Sequence, residues 1–238
     1  MIDQGRRRAG LLAVRGWFLL IGSCLLPLVA VATDEPGTWS SQARRLTPNP
    51  KDEDTGTWIS PGGQASVVYT DDDVTLRIGR FKTSVGDIAS YAASVEASWS
   101  PEAQGVFVNA SEGGAVGIWS SRVFVTRKNG KVVEVPVRRI VVARRALLTI
   151  PCDDHTTQPV ATDCLNFASL AWLDHGQKLL VILAVPNSGR YPNMGDSLFF
   201  VVDLPKRRID KMLSNGEALS TYGSYLSPGM IRWLTDNP

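Results

Sequence analysis

"SWSPEAQGVFVNA" occupies Ser98–Ala110, and "AWLDHGQKLLVILA" occupies Ala171–Ala184. Each is a tryptophan, a short polar turn containing glycine, and an apolar run with strand character. Trp99 and Trp172 lead the two copies. In the first, Pro101 presets φ for a turn and Gly105 permits a positive φ. Val95, Ala97 and Trp99 alternate with polar residues, so the turn joins two strands.

Reading outward, each copy extends into four strands. "SVEASW", "VFVNA", a strand within "GGAVGIWSSRVFVT" and "VVEVPV" form the first meander, with Asn129-Gly130 as a two-residue hairpin signal. "FASLAWL", "KLLVILAVP", "SLFFVVDLP" and "IDKML" form the second. Upstream, "QASVVYT" and "DVTLRIGRF" read as a hairpin around Asp71, Asp72 and Asp73. Between the meanders, "VRRIVVARRALL" fits an amphipathic helix opened by Pro136, although "RIVVA" is equally good strand sequence. A four-stranded meander cannot bury both faces alone. Two copies with Trp99 and Trp172 packed between them would share one apolar interior.

The phrase Trp99-Ser100-Pro101 resembles the inner strand pair of TolB-type, WD40-like β-propeller blades. Trp172, Asp174 and Gly176 match a looser version, and "LFFVVDLPKRRIDKML" resembles an outer strand pair. The resemblance spans less than half of the chain beyond its leader and implies blade-like sheets, not an activity. The fold class expected is therefore mainly β with minor α. Two four-stranded antiparallel blade-like meanders are joined by a helix and a disulfide loop. A partial or small propeller, a compact α+β domain and a β-sandwich all remain open. The first hairpin region is a candidate third, partial blade.

The N-terminus carries the signs of export. Arg6, Arg7, Arg8 and Arg15 precede "GWFLLIGSCLLPLVAVA", which ends in the small-x-small pattern Ala30-Val31-Ala32. Residues 1–32 read as a signal peptide and imply a periplasmic or secreted protein. A lipid anchor at Cys24, in "IGSC", and an uncleaved membrane anchor are the rivals. The leader holds four of the 25 Lys+Arg and one of the 23 Asp+Glu residues, so the remainder carries 21 and 22, a net charge of −1. That balance leaves no electrostatic footprint for nucleic acid. The basic runs Arg138-Arg139 and Lys206–Arg208 then read as solvated faces.

Beyond the leader, residues 33–64 read as irregular, 65–213 as the blade-like β domain and 214–238 as a helical tail. Ser214 and Glu217 have the spacing of a capping box. Cys152 and Cys164 bracket a polar loop and are expected to pair as a disulfide in an oxidising compartment. No cofactor or metal site is expected. His155 with two distant cysteines falls short of a zinc set, and neither Asp71–Asp73 nor Asp153-Asp154 has calcium-loop spacing.

Only two histidines, His155 and His175, could serve as a general base, and no G-x-S-x-G elbow occurs. His175 sits in a tight turn and reads as a solvated imidazole. Trp99, Trp119 and Trp172 read as core rather than ligand platforms. The loop "NSGRYPNMGD", Asn187–Asp196, is longer than a hairpin needs. Its Arg190, Tyr191 and Met194 are candidate binding residues. The functional expectation is an exported, non-enzymatic protein that binds another protein or an envelope component. An envelope hydrolase and an inhibitor of a secreted toxin are the alternatives.

Overall fold

Hydropathy along the strands sorts them by layer. β4 (Asp73–Ile78, "DVTLRI") alternates buried and partly exposed positions, as a strand with one covered face must. β7 (Gly105–Ser111), β10 (Asn166–Leu173) and β11 (Lys178–Ala184) are buried almost throughout, so both of their faces are covered. The computed structural model describes residues 38–46, 55–70, 73–85, 94–111, 118–143, 165–186 and 196–236. All of them belong to the compact unit Val31–Pro238.

The described strands form three antiparallel sheets. The first runs in the order β2 (Thr55–Ile59), β3 (Ala65–Thr70), β4, β5 (Phe81–Ser84). The middle sheet has β1 (Arg44–Arg45), β6 (Ser94–Trp99), β7, β8 (Trp119–Thr126) and β9 (Val132–Val135). The last has β10, β11, β12 (Ser197–Asp203) and β13 (Arg208–Leu213). The expected hairpin is β3–β4, and β2 and β5 complete it as a third four-stranded meander. β1 and β2 lie in the segment read as irregular from sequence. The described residues also form three α-helices: α1 (Val137–Val142), between the middle and last sheets in the chain, then α2 (Asn215–Tyr222) and α3 (Pro228–Asp236) after them. α1 supplies the helical alternative for "VRRIVV", and the capping box of Ser214 and Glu217 opens α2.

The sheets stack in a row. Val67, Tyr69 and Leu76 of the first sheet meet Val95, Trp99, Val106 and Phe124 of the middle one. Phe107 and Val123, on the opposite face of the middle sheet, meet Trp172, Leu179, Val181 and Phe200 of the last. The far face of the last sheet, with Leu170, Ile182 and Phe199, is covered by Met230 and Leu234 of α3 and by Trp39. A bulge between Ser169 and Ala171 puts Leu170 and Ala171 both on that far side. No closed ring is present among the described residues, and three sheets are one fewer than the smallest propeller holds.

The two meanders do share an apolar interior, with Trp172 in it, but this order corrects the place expected for Trp99. Both tryptophans are buried on strands, but in different interfaces. Trp99 packs beside Trp58 of the first sheet at a centroid distance of 6.1 Å. Trp172 stacks on Phe107 at 5.9 Å. A second correction concerns Gly105. The left-handed residue of its turn is Ala103, at φ 53°. Gly105 is needed for space instead: a Cβ there would lie 2.7 Å from Cη2 of Trp172.

A strap of residues 38–46 crosses the stack. Ser41 N–H and Ser227 N–H bond it to the C-terminal region, through Tyr225 O and Trp39 O. The Gln42 side chain accepts from Trp172 N–H, and β1 pairs with β6. Residues 1–32, 152, 155, 164, 190, 191 and 194 lie outside the described residues. The signal-peptide, disulfide and binding-loop expectations therefore lie there too.

Candidate functional site

Four hairpin turns of the middle and last sheets converge at one end of the stack, and a cleft of about 770 Å³ lies between them. Ser100 and Gln104 come from the β6–β7 turn, and Arg127 and Lys128 from the β8–β9 turn. His175 and Gln177 come from the β10–β11 turn, and Leu204 and Arg207 from the β12–β13 turn. Val125, Val133 and Val135 add an apolar wall.

The turns interlock because the two repeats abut. Ser100 Oγ accepts the N–H of Gly105 at 2.9 Å and fixes its own turn. Gly176, at φ 84°, lies against Ser100, where a Cβ would come within 3.1 Å of the serine's Cβ. His175 and Arg207 are themselves left-handed, at φ 53° and 50°. Such backbone is costly for residues other than glycine and is held by the surrounding structure.

The charge of the cleft is one-sided. Arg127, Lys128 and Arg207 line it together with the His175 imidazole, and no carboxylate among the described residues does. None of the three cations forms an ion pair among the described residues. The nearby Lys206 is different: its Nζ lies 2.9 Å from Asp203 Oδ2, and that pairing holds the Asp203 carboxyl below its usual range. In the cleft wall, the buried Thr126 hydroxyl has no hydrogen-bond partner among the described residues. Like-charged groups gathered without counter-ions attract an anion.

A second cleft of about 560 Å³ adjoins the same turn, and His175 lines both. Lys178 Nζ sits there between Asp174 Oδ2 at 2.8 Å and Asp210 Oδ2 at 3.0 Å. Those two carboxylates hold the ammonium group well above its ordinary range. The β12–β13 register shifts between Val201 and Val202, leaving Asp210 without a partner in the ladder. Tyr222 and Tyr225 flank the cleft, half-buried, with ring centroids 6.4 Å apart and planes tilted by 39°.

A third polar cluster is buried between the middle and last sheets. Asn109 Nδ2 donates to Glu96 Oε1 and to Ser169 O, each at 2.7 Å, while Asn109 Oδ1 accepts Ser169 N–H at 2.9 Å. The Glu96 carboxyl is 1% exposed and also accepts Trp39 N–H at 3.2 Å. Burial pushes its pKa up to about 7, against the lowering effect of these hydrogen bonds and of Arg45. This cluster joins strap and sheets and lines neither of the two clefts.

Sequence reasoning placed His175 in an exposed turn, where it is found. It did not anticipate the cleft, because the basic residues come from turns that look ordinary one at a time. Only their shared position at the ends of hairpins hinted at a common surface. Among the described residues no group of His, Cys, Asp and Glu could hold a metal ion. His175 forms no hydrogen bond to a serine or a carboxylate among them. No described helix is long and apolar enough to cross a membrane. No protein-family model matches the chain, and no curated protein or solved structure is significantly similar to it.

Proposed function

We propose that the chain is an exported, non-enzymatic binding protein that captures an anionic ligand in the cleft between the turns of its middle and last sheets. The observation that carries this reading is the lining of that cleft: among the described residues it holds three cations without an ion-pair partner, an imidazole and no carboxylate. The chain beyond residue 32 is close to neutral, so the basic cleft is a local feature and not the consequence of a basic protein. The leader sequence supports a periplasmic or secreted setting, where an envelope component or an acidic partner would supply the charge.

Retention on phosphocellulose at low salt tests the reading. The purified protein is expected to bind and to elute as salt screens the cleft. An Arg127→Gln, Arg207→Gln double variant is expected to pass through. Equal retention of the two proteins would remove the cleft from the function. Turnover of ester, phosphate or cell-wall substrates that disappears with His175→Ala would replace the binding reading with a hydrolase.

A further inference from the structure

The two clefts meet at His175 but differ in charge. In the second, Asp174 and Asp210 are balanced by Lys178 and Lys211, so its described lining carries no net charge. It also offers what the first lacks, a tilted pair of half-buried tyrosine rings. Each aspartate bonds Lys178 through Oδ2. A neutral polar cleft with aromatic faces suits an uncharged ring that carries hydroxyl groups. Its apolar face stacks on the aromatic ring, and its hydroxyls reach fixed carboxylate and ammonium groups.

We propose that the second cleft is a subsite for a sugar ring, and that the full ligand is an acidic saccharide. Its sugar lies against Tyr222 and Tyr225, and its carboxylate or phosphate group lies among Arg127, Lys128 and Arg207. His175 stands at the junction of the two. This inference rests on the anion-binding reading of the first cleft. It adds a ligand class that the basic residues alone do not define.

Three features place the junction. The Asp174–Gly176 turn holds His175 in left-handed backbone. Lys178 fixes the Asp174 carboxylate on one side of that turn. Gly176 packs on Ser100 on the other. The imidazole is thus carried by a turn anchored on both sides, a rigid support for a shared contact.

Calorimetric titration of the purified protein with digalacturonate, glucose 6-phosphate, maltose and inorganic phosphate tests the proposal. At least one acidic sugar is expected to bind more tightly than either maltose or phosphate. Tyr222→Leu and Tyr225→Leu keep apolar bulk beside the helices. Each is expected to weaken the acidic sugar by about tenfold. Neither should change the affinity for phosphate. Arg207→Gln is expected to weaken acidic sugar and phosphate alike. If the acidic sugars bind no better than phosphate, or the tyrosine variants bind them unchanged, the sugar subsite is overturned while an intact Arg207→Gln effect leaves the anion cleft standing. If Arg127→Gln and Arg207→Gln change nothing, the reading of the first cleft fails as well.

Discussion

Gly105 and Trp172 occupy the same space: the indole of the second repeat fills the volume that a side chain at position 105 of the first would take. The nearest ring carbon lies 2.7 Å from where the Cβ would be, and Phe124 O lies 3.2 Å from it. The same indole donates its N–H to Ser98 O at 3.0 Å. The glycine of one phrase is thus the socket for the tryptophan of the other.

Gly105→Ala is therefore expected to destabilise the protein by about 1–3 kcal/mol through overpacking. Trp172→Phe alone removes the indole donor to Ser98 O and part of a buried ring, and costs about 1–3 kcal/mol. In the double variant the smaller ring makes room for the alanine, so the two costs should fall short of additive by more than about 0.5 kcal/mol. Urea unfolding of the four proteins measures this. Strict additivity would show that the contact is not felt.

Ala103 is held at φ 53° in the same turn. Left-handed backbone is strained for alanine and free for glycine. Ala103→Gly is expected to raise the unfolding free energy by about 0.5–1 kcal/mol, in spite of the greater freedom of glycine in the unfolded chain. Thermal unfolding provides the check, and a lower melting temperature would mean that the turn relaxes without strain.

Glu96 gives the stack a pH dependence of defined sign. Its carboxyl has a folded pKa of about 7 against an ordinary value of 4.5. The folded state then holds a proton that the unfolded chain releases between those values. Stability from this group is present below about pH 4.5, falls as pH rises through 7, and levels off above that. The total change is about 3 kcal/mol. Glu96→Gln should remove that slope in denaturation curves taken from pH 5 to 8. A slope of the same size in the variant would assign it to another group.

The strands were legible because period and turn chemistry act locally. "SVEASW", "KLLVILAVP" and "SLFFVVDLP" all contain the strands found, and Asn129-Gly130 joins β8 to β9. The pairing of layers was not legible. Alternation says that Val106 and Val108 share a face and that Phe107 does not, but nothing local says which sheet covers each face. Trp99 was therefore assigned to the wrong neighbour. "TWSSQARRL", Thr38–Leu46, has no periodicity, and its partners Glu96 and Ser227 are distant in sequence. The cleft was hidden for the same reason. Arg127 and Arg207 each read as surface charges, and only the stacking of two sheets brings their turns to one opening.

The most direct test of the anion cleft is a titration of isotope-labelled protein with sodium sulfate at low ionic strength, followed through the backbone amide resonances. Saturable shifts are expected at Gln104, Arg127, Lys128, Gly176 and Arg207, with the strands of the first sheet unmoved. Shifts that fail to saturate, or that appear across the surface without favouring these turns, would contradict the account.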